Sequence, residues 1–306
     1  MSSSADREGL ARKVRELKTS RDAVILAHNY QIGEVQDVAD FTGDSLELSV
    51  KASSAVESVI VFCGVHFMAE TAAILSPGKT VLLPDPDAGC PMADMITAAD
   101  VIAWRTRFPG RPVVSYVNTS AAVKAESDIC CTSSNAVRVV ESLPDPEVLF
   151  APDRNLAAYV ARFTAKRIIP WDGYCHVHQG ILPRHIRDAR ALHPEAEVWA
   201  HPECRPEVID LADKVLSTGK MVAEARTIGP RDVIVATESG IIHRLEKENP
   251  SARFFPAHAV AVCPNMKKIN LRKVHAALDR MVHRVVVPSA VADRARGAVE
   301  RMIKIS

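Results

Sequence analysis

The sequence lacks the features that mark membrane-spanning, secreted or polyanion-binding proteins. No stretch of its 306 residues approaches the roughly 18 consecutive apolar residues that a membrane-spanning helix requires. Residues 1–22 are polar and charged, without the apolar core of a signal peptide. An excess of one charge is also missing, since 38 Lys and Arg against 37 Asp and Glu leave a net charge of +1. We therefore expect a cytoplasmic protein that binds neither nucleic acid nor membrane.

Local cysteine pairs are missing as well. No two of the seven cysteines lie three positions apart, so the chain has no C-x-x-C element of a zinc ribbon or a thioredoxin site. A disulfide scaffold is excluded because the chain is long, the cysteine number is odd and cytoplasmic thiols stay reduced. The seven dispersed cysteines therefore need another explanation. They lie at positions 63, 90, 130, 131, 175, 204 and 263.

Short apolar strands alternate with helical patterns along the whole chain, which predicts an α/β protein with parallel sheets. Four landmarks recur three times in the same order: a strand that ends in His or Tyr, a helix start with Ser or Thr, a third strand, and a fourth strand followed by Cys. The strand-end residue precedes the hydroxyl residue by 17 positions in each copy. The three strand ends read V-I-L-A-H-N-Y (24–30), V-V-S-Y-V-N (113–118) and V-W-A-H-P-E (198–203).

The repeat period is 85 to 88 residues, measured between equivalent landmarks. This is longer than the common solenoid repeats and suits a small four-stranded α/β domain. We predict three homologous αβα domains in a pseudo-threefold arrangement, joined without Gly-, Ser- or Pro-rich linkers. Their expected bounds are 1–107, 108–192 and 193–275. The remaining segment, 276–306, is expected to pack back on the first domain, with Ser289 as the N-cap of a final helix.

Ligands of open parallel sheets bind at the carboxyl ends of the strands, so three such sheets would bring their landmarks to one centre. Three cysteines at equivalent positions then suit an iron–sulfur cluster or a thiolate-rich zinc site. We interpret the four cysteines without equivalents, at 63, 130, 131 and 204, as core or pocket-lining residues. The expected layers are Cys90, Cys175 and Cys263; His28, Tyr116 and His201; Tyr30, Asn118 and Glu203; and Ser45, Ser133 and Thr218. His178, three residues after Cys175, is a further pocket candidate.

Long ordered motifs resemble those of the quinolinate synthase family of NAD biosynthesis, and the resemblance covers nearly the whole chain. They include A-H-N-Y-Q (27–31), D-P-D-A-G-C-P-M-A-D (85–94), S-Y-V-N-T-S-A-A-V-K-A (115–125), W-D-G-Y-C-H-V-H (171–178), H-P-E-C (201–204) and C-P-N-M-K-K (263–268).

The resemblance implies a transferase that condenses iminoaspartate with dihydroxyacetone phosphate to quinolinate, phosphate and two waters. It also implies a [4Fe–4S] cluster held by Cys90, Cys175 and Cys263, with one iron open to substrate. On this basis His28, Tyr30, Tyr116, His201 and Glu203 are the expected catalytic residues. Substrate is expected to contact His28, Ser45, Tyr116, Asn118, Ser133, His178, His201, Glu203 and Thr218. A transient contact with an aspartate-oxidising enzyme is a further expectation.

Two other functions fit part of the pattern. A diphthamide-synthase-like enzyme would also place three repeated domains around a three-cysteine cluster, but would cleave S-adenosylmethionine. A non-enzymatic metal-binding or redox-sensing module would use the cysteines alone. Because a sensor does not need so many convergent acid, base and hydroxyl groups, the sequence favours quinolinate formation.

Overall fold

The computed structural model describes residues 4–305, which form three parallel sheets of four strands each. The strand order is the same in every sheet: the first strand of the copy lies between the second and the third, and the fourth lies outside the third. The prediction of an α/β fold with three repeated four-stranded parallel sheets is confirmed. None of the helices within the described range is long and apolar enough to cross a membrane.

The first copy is centred on two apolar strands that are buried along nearly their whole length, as expected for strands covered by helices on both faces. Its elements are α1 (Ser4–Ser20), β1 (Ala23–His28), α2 (Gly33–Gln36), β2 (Phe41–Gly43), α3 (Ser45–Ser54), β3 (Val59–Cys63), α4 (His66–Leu75), β4 (Thr80–Leu82), a 3₁₀ turn (Ala93–Met95) and α5 (Ala98–Arg107).

The second copy repeats this order of strands, and the helices after its second and third strands are shorter than those of the first copy. Its elements are β5 (Val113–Tyr116), α6 (Ala121–Ala125), β6 (Ile129–Cys131), α7 (Ala136–Ser142), β7 (Glu147–Ala151), α8 (Arg154–Val160), a 3₁₀ turn (Ala161–Phe163), β8 (Arg167–Pro170), α9 (His176–Gly180) and α10 (Pro183–Leu192).

The third copy and the C-terminal segment complete the chain. Their elements are β9 (Glu197–Ala200), α11 (Pro206–Ile209), β10 (Lys214–Val215), α12 (Thr218–Ala225), β11 (Asp232–Ala236), α13 (Ile241–Glu248), β12 (Arg253–Pro256), a 3₁₀ turn (Met266–Lys268), α14 (Leu271–Arg280) and α15 (Ser289–Lys304).

An aspartate directly before the second strand, an edge strand of the sheet, ties that strand to the first strand in every copy. Its carboxylate accepts a hydrogen bond from a backbone N–H of the first strand, and its own N–H donates back to the carbonyl of that same residue. The pairs are Asp40 with Ile25 (2.8 Å), Asp128 with Val113 (2.7 Å) and Asp213 with Val198 (2.7 Å), always 15 residues apart. These aspartates lie at the amino ends of the strands and set their alignment.

The C-terminal segment binds two of the copies to each other. Helix α14 packs against α1, and α15 packs against α6 and β6 of the second copy and α4 of the first. The amide of Asn135, at the start of α7, donates to the carbonyl of Met302 (3.0 Å). The N-cap of α15 is Pro288, and the predicted N-cap, Ser289, is instead the first helical residue. No side chain caps this helix start.

Candidate active site

The carboxyl ends of the central strands of all three sheets surround one cavity. His28 and Tyr116 end strands β1 and β5, and His201 directly follows β9. Every residue given a site role in the sequence analysis lies in the lining of this cavity. They are His28, Tyr30, Ser45, Cys90, Tyr116, Asn118, Ser133, Cys175, His178, His201, Glu203, Thr218 and Cys263.

The three repeated cysteines each stand just before a short helical turn. Cys90 precedes the 3₁₀ turn 93–95, Cys175 precedes α9, and Cys263 precedes the 3₁₀ turn 266–268. The backbone N–H three residues on donates to the sulfur in every copy, from Ala93, His178 and Met266. Hydrogen bonds to sulfur of this kind stabilise thiolate ligands of iron–sulfur clusters.

The three thiols also share one electrostatic environment. Burial raises the pKa of each, and the Cys263 and Cys90 thiols add to this effect at Cys90 and Cys175 respectively. Such thiols resist deprotonation unless a metal cation compensates their charge. Three converging sulfurs with matched N–H donors therefore fit a metal cluster held by three cysteines.

The four other cysteines do not line the cavity. Cys63, Cys130, Cys131 and Cys204 are fully buried in the hydrophobic core. The thiol of Cys204 lies 3.3 Å from the carbonyl oxygen of Ala236, at the end of β11. These positions agree with packing roles.

Glu203 is the acidic centre of the cavity. Its Oε1 accepts a hydrogen bond from the Tyr116 hydroxyl, and its Oε2 lies 2.7 Å from Nδ1 of His178. Burial favours a raised pKa for Glu203, but His178, His201 and the Tyr116 hydroxyl outweigh it and lower that pKa. The carboxylate thus stays ionised, and ligand atoms of Cys175, His178 and Glu203 lie within 4.8 Å of one another.

A hydroxyl cluster continues from His178 toward the first copy. Nε2 of His178 lies 2.8 Å from the hydroxyl of Thr237, which also contacts the hydroxyl of Tyr30. Burial, followed by the charge of Glu203, raises the pKa of both Tyr30 and Tyr116 well above its ordinary value. Both phenols are therefore proton donors at neutral pH.

The two strand-end histidines are held as neutral rings of one tautomer. Nδ1 of His28 accepts the backbone N–H of Tyr30 (3.1 Å), and Nδ1 of His201 accepts that of Glu203 (3.3 Å). Burial lowers the pKa of both rings to about 3. Since Nδ1 is an acceptor, the proton of each neutral ring is on Nε2. At His201 this Nε2 lies 3.2 Å from the Ser133 hydroxyl.

The lining of the cavity also contains hydroxyls at helix starts. Ser45 and Thr218 are the first residues of α3 and α12, and Ser133 precedes α7. No Lys or Arg belongs to the lining formed by residues 4–305, so substrate anions must find other donors there. The amide Oδ1 of Asn118 is buried and has no hydrogen-bond partner within the described chain, which leaves it available to a ligand.

Two buried carboxylates were missed by the sequence analysis. Asp153 accepts the backbone N–H of Cys175 (3.0 Å), and Glu238 accepts that of Cys263 (2.9 Å). Both follow the third strand of their copy by two positions, whereas the predicted polar layers follow the first strands. That matched position was the signal available to find them.

Comparison with known proteins gives consistent matches over nearly the whole chain. The family model described as Quinolinate synthetase A protein matches residues 12–304. A curated quinolinate synthase of Dehalococcoides mccartyi is 57% identical over 98% of this chain and 99% of its own length. Quinolinate synthases of Methanoregula boonei and Methanosarcina acetivorans are 54% and 52% identical, each over 97% of this chain and over 98% and 97% of their own lengths.

Proposed function

The chain belongs to the quinolinate synthase family of NAD biosynthesis, and from this premise we propose that it condenses iminoaspartate with dihydroxyacetone phosphate. The products are quinolinate, inorganic phosphate and two waters. The observation that carries the proposal is one cavity that combines three matched thiols with acid, base and hydroxyl groups of three sheets. We place the reaction in the cytoplasm, with iminoaspartate supplied through transient contact with an aspartate-oxidising enzyme.

Cys90, Cys175 and Cys263 would hold a [4Fe–4S] cluster through their thiolates. With three protein ligands, the cluster would leave one iron open as a Lewis acid for substrate oxygen. The three copies, 1–107, 108–192 and 193–275, would act as three domains that each supply one ligand.

Neutral hydrogen-bond donors of the protein would bind the anionic groups of the substrates. The hydroxyls of Ser45, Ser133 and Thr218 would hold the phosphate and carboxylates of the substrates, aided by the backbone N–H groups of helix starts. The Asp44 carboxylate already caps the N–H groups of Leu46 and Glu47 at α3, and the Ser217 hydroxyl caps that of Lys220 at α12, so the three hydroxyls would be the main donors to phosphate. The amide of Asn118 would orient the intermediate.

Proton transfer would be divided between donors and one base. The Nε2–H groups of His28 and His201 would donate to substrate oxygen as neutral donors, since each Nδ1 already accepts a backbone N–H. Glu203, ionised and linked to the Tyr116 hydroxyl, would accept and return protons during imine formation and loss of water. Tyr30, which keeps its phenolic proton, would act as an acid in the same steps, whereas Tyr116 would orient the intermediate beside Asn118.

An anaerobic assay of quinolinate formation, run beside iron and sulfide analysis, tests the proposal. We expect a brown protein with about four irons and four sulfides per chain that makes quinolinate only when both substrates are present. A fully occupied cluster without quinolinate formation would reject the activity. A colourless protein that holds one zinc would reject the cluster.

A further inference from the structure

Each repeated cysteine lies on a loop that is hydrogen-bonded to the end of the third strand of its own copy. The acceptor is the carbonyl two residues before the cysteine, and the donor is the third residue after the strand. The pairs are His66 with Ala88 (2.8 Å), Arg154 with Gly173 (2.9 Å) and Ser239 with Ala261 (2.9 Å). This shared backbone geometry makes Val65, Asp153 and Glu238 structurally equivalent, since each directly precedes the donor.

In the second copy the equivalent residue is a fully buried carboxylate with two separate tasks. Oδ1 of Asp153 accepts the N–H of Leu156 (2.7 Å) and caps helix α8. Its Oδ2 accepts the N–H of Cys175 (3.0 Å). One side chain therefore joins the rigid end of β7 to the cysteine loop.

In the third copy the equivalent residue is again a fully buried carboxylate. Oε2 of Glu238 accepts the N–H of Gly240 (2.7 Å), while Oε1 accepts the N–H of Cys263 (2.9 Å). Lys267, on the turn that follows the cysteine, lies 2.8 Å from Oε1 and also donates to the carbonyl of Tyr30. The cysteine loop is thus tied to β11 and to the first copy.

The first copy lacks this connection. Val65 lies at the equivalent position, and an apolar side chain cannot accept the N–H of Cys90. The cysteine loops of the second and third copies are therefore anchored by a carboxylate, whereas that of the first copy is held by backbone hydrogen bonds and packing. The difference arises from side chains alone, because the backbone pairs agree.

We propose that Asp153 and Glu238 are positioning residues that hold Cys175 and Cys263 in the geometry required to bind the cluster. Their carboxylates act through the backbone N–H of the cysteine. The inference rests on the proposed assignment of these cysteines as cluster ligands. It predicts that loss of either carboxylate loosens one named ligand and leaves the other two in place.

The test is a trapping experiment on the protein with its cluster. Wild type, Asp153→Ser and Glu238→Gln are exposed under argon to a ferrous chelator together with N-ethylmaleimide, and labelled cysteines are mapped by mass spectrometry over time. Asp153→Ser keeps an oxygen that can cap α8 but removes the second one, and Glu238→Gln keeps only one of the two acceptor oxygens. We expect iron release, and labelling of the affected cysteine, to accelerate about fivefold, as expected for loss of one hydrogen bond that restrains local opening.

The expected pattern is specific for each copy. Asp153→Ser should accelerate labelling of Cys175 but not Cys263, and Glu238→Gln should do the reverse, with Cys90 unchanged in both. Asp128→Ser and Asp213→Ser are matched controls, because each removes a strand-aligning carboxylate of the same copy at the amino ends of the strands, whereas the three ligand cysteines lie at the carboxyl ends. Both should label like wild type.

Three outcomes would overturn the inference while leaving the cluster assignment intact. They are wild-type labelling rates in both variants, equal acceleration of all three ligands, and acceleration in the control variants as well. Labelling of the buried Cys63 would identify general unfolding and would also reject a local role. If wild type itself holds no iron, the proposed function fails first, and that result is separate from any behaviour of the variants.

Discussion

Replacing Glu203 by Gln should separate the chemistry of the cavity from its stability. The substitution preserves side-chain volume and an oxygen that faces the Tyr116 hydroxyl, but it removes the charge beside Nδ1 of His178. Weakening one buried charge-assisted contact costs about 1–3 kcal/mol, against roughly 5–15 kcal/mol for a whole domain, so the variant should fold. Loss of a general base costs about 10²–10⁴ in rate, so we expect kcat to fall about a thousandfold.

The assay is anaerobic quinolinate formation, with iron content and thermal unfolding measured on the same preparation. Glu197→Gln is the control. Glu197 lies at the amino end of β9, whereas Glu203 follows its carboxyl end, and the Glu197 carboxylate contacts Lys214 and Arg231. The control should keep its activity. A Glu203→Gln variant with full iron content and more than about a tenth of wild-type kcat would refute the assignment of Glu203 as a base. If iron were lost as well, Glu203 would serve the cluster instead.

Three further expectations concern ligands, pH and strand alignment. Changing any one of the three repeated cysteines to Ser should abolish iron binding, whereas Cys63→Ser should keep a wild-type iron content; an empty site in the latter would reject this division. Burial lowers the pKa of His28 and His201 to about 3, below the ordinary 6.5. Below pH 6.5 the unfolded chain binds protons at these rings that the folded protein does not bind. The free energy of unfolding is therefore undiminished above pH 6.5 and falls as the pH drops toward 3. At pH 5 each ring should lower the free energy of unfolding by about 2 kcal/mol. Between pH 7.5 and 5.0, denaturant unfolding of His201→Asn should therefore show a fall in this free energy that is smaller than that of wild type by the same amount. Equal falls in the two proteins would contradict the prediction. Asp213→Ala should lower the free energy of unfolding by about 1–3 kcal/mol, because the N–H of Val198 loses its partner, and an unchanged denaturation midpoint would contradict this.

The fold was predictable because its signals are local and repeated. Apolar runs such as 24–28 and 232–236 predict buried parallel strands, and the equal spacing of landmarks predicts three copies of one sheet. The same spacing brings residues far apart in the chain to equivalent strand ends. Convergence of Cys90, Cys175 and Cys263 on one cavity follows from that topology.

Other features depend on side-chain geometry that no spacing reveals. The contact of the Tyr116 hydroxyl with Glu203 joins different sheets, and nothing in either segment predicts that distance. The tautomer of His201 depends on a backbone N–H two residues on, which only the turn after β9 brings close. Thr237 and Asp153 follow third strands, and their partners lie on other loops or in another copy.

Equivalent positions that carry the same residue in all three copies serve the fold, whereas equivalent positions that carry different residues belong to the site. At the amino ends of the strands all three copies carry the same aspartate with the same pair of hydrogen bonds, since identical sheets need identical alignment. At the carboxyl ends the copies differ, with His28, Tyr116 and His201 in one layer. A cavity with threefold identical walls would present the same donor three times. The proposed joining of two different substrates in one orientation would require unlike walls, and the divergence of the copies at this end would supply them.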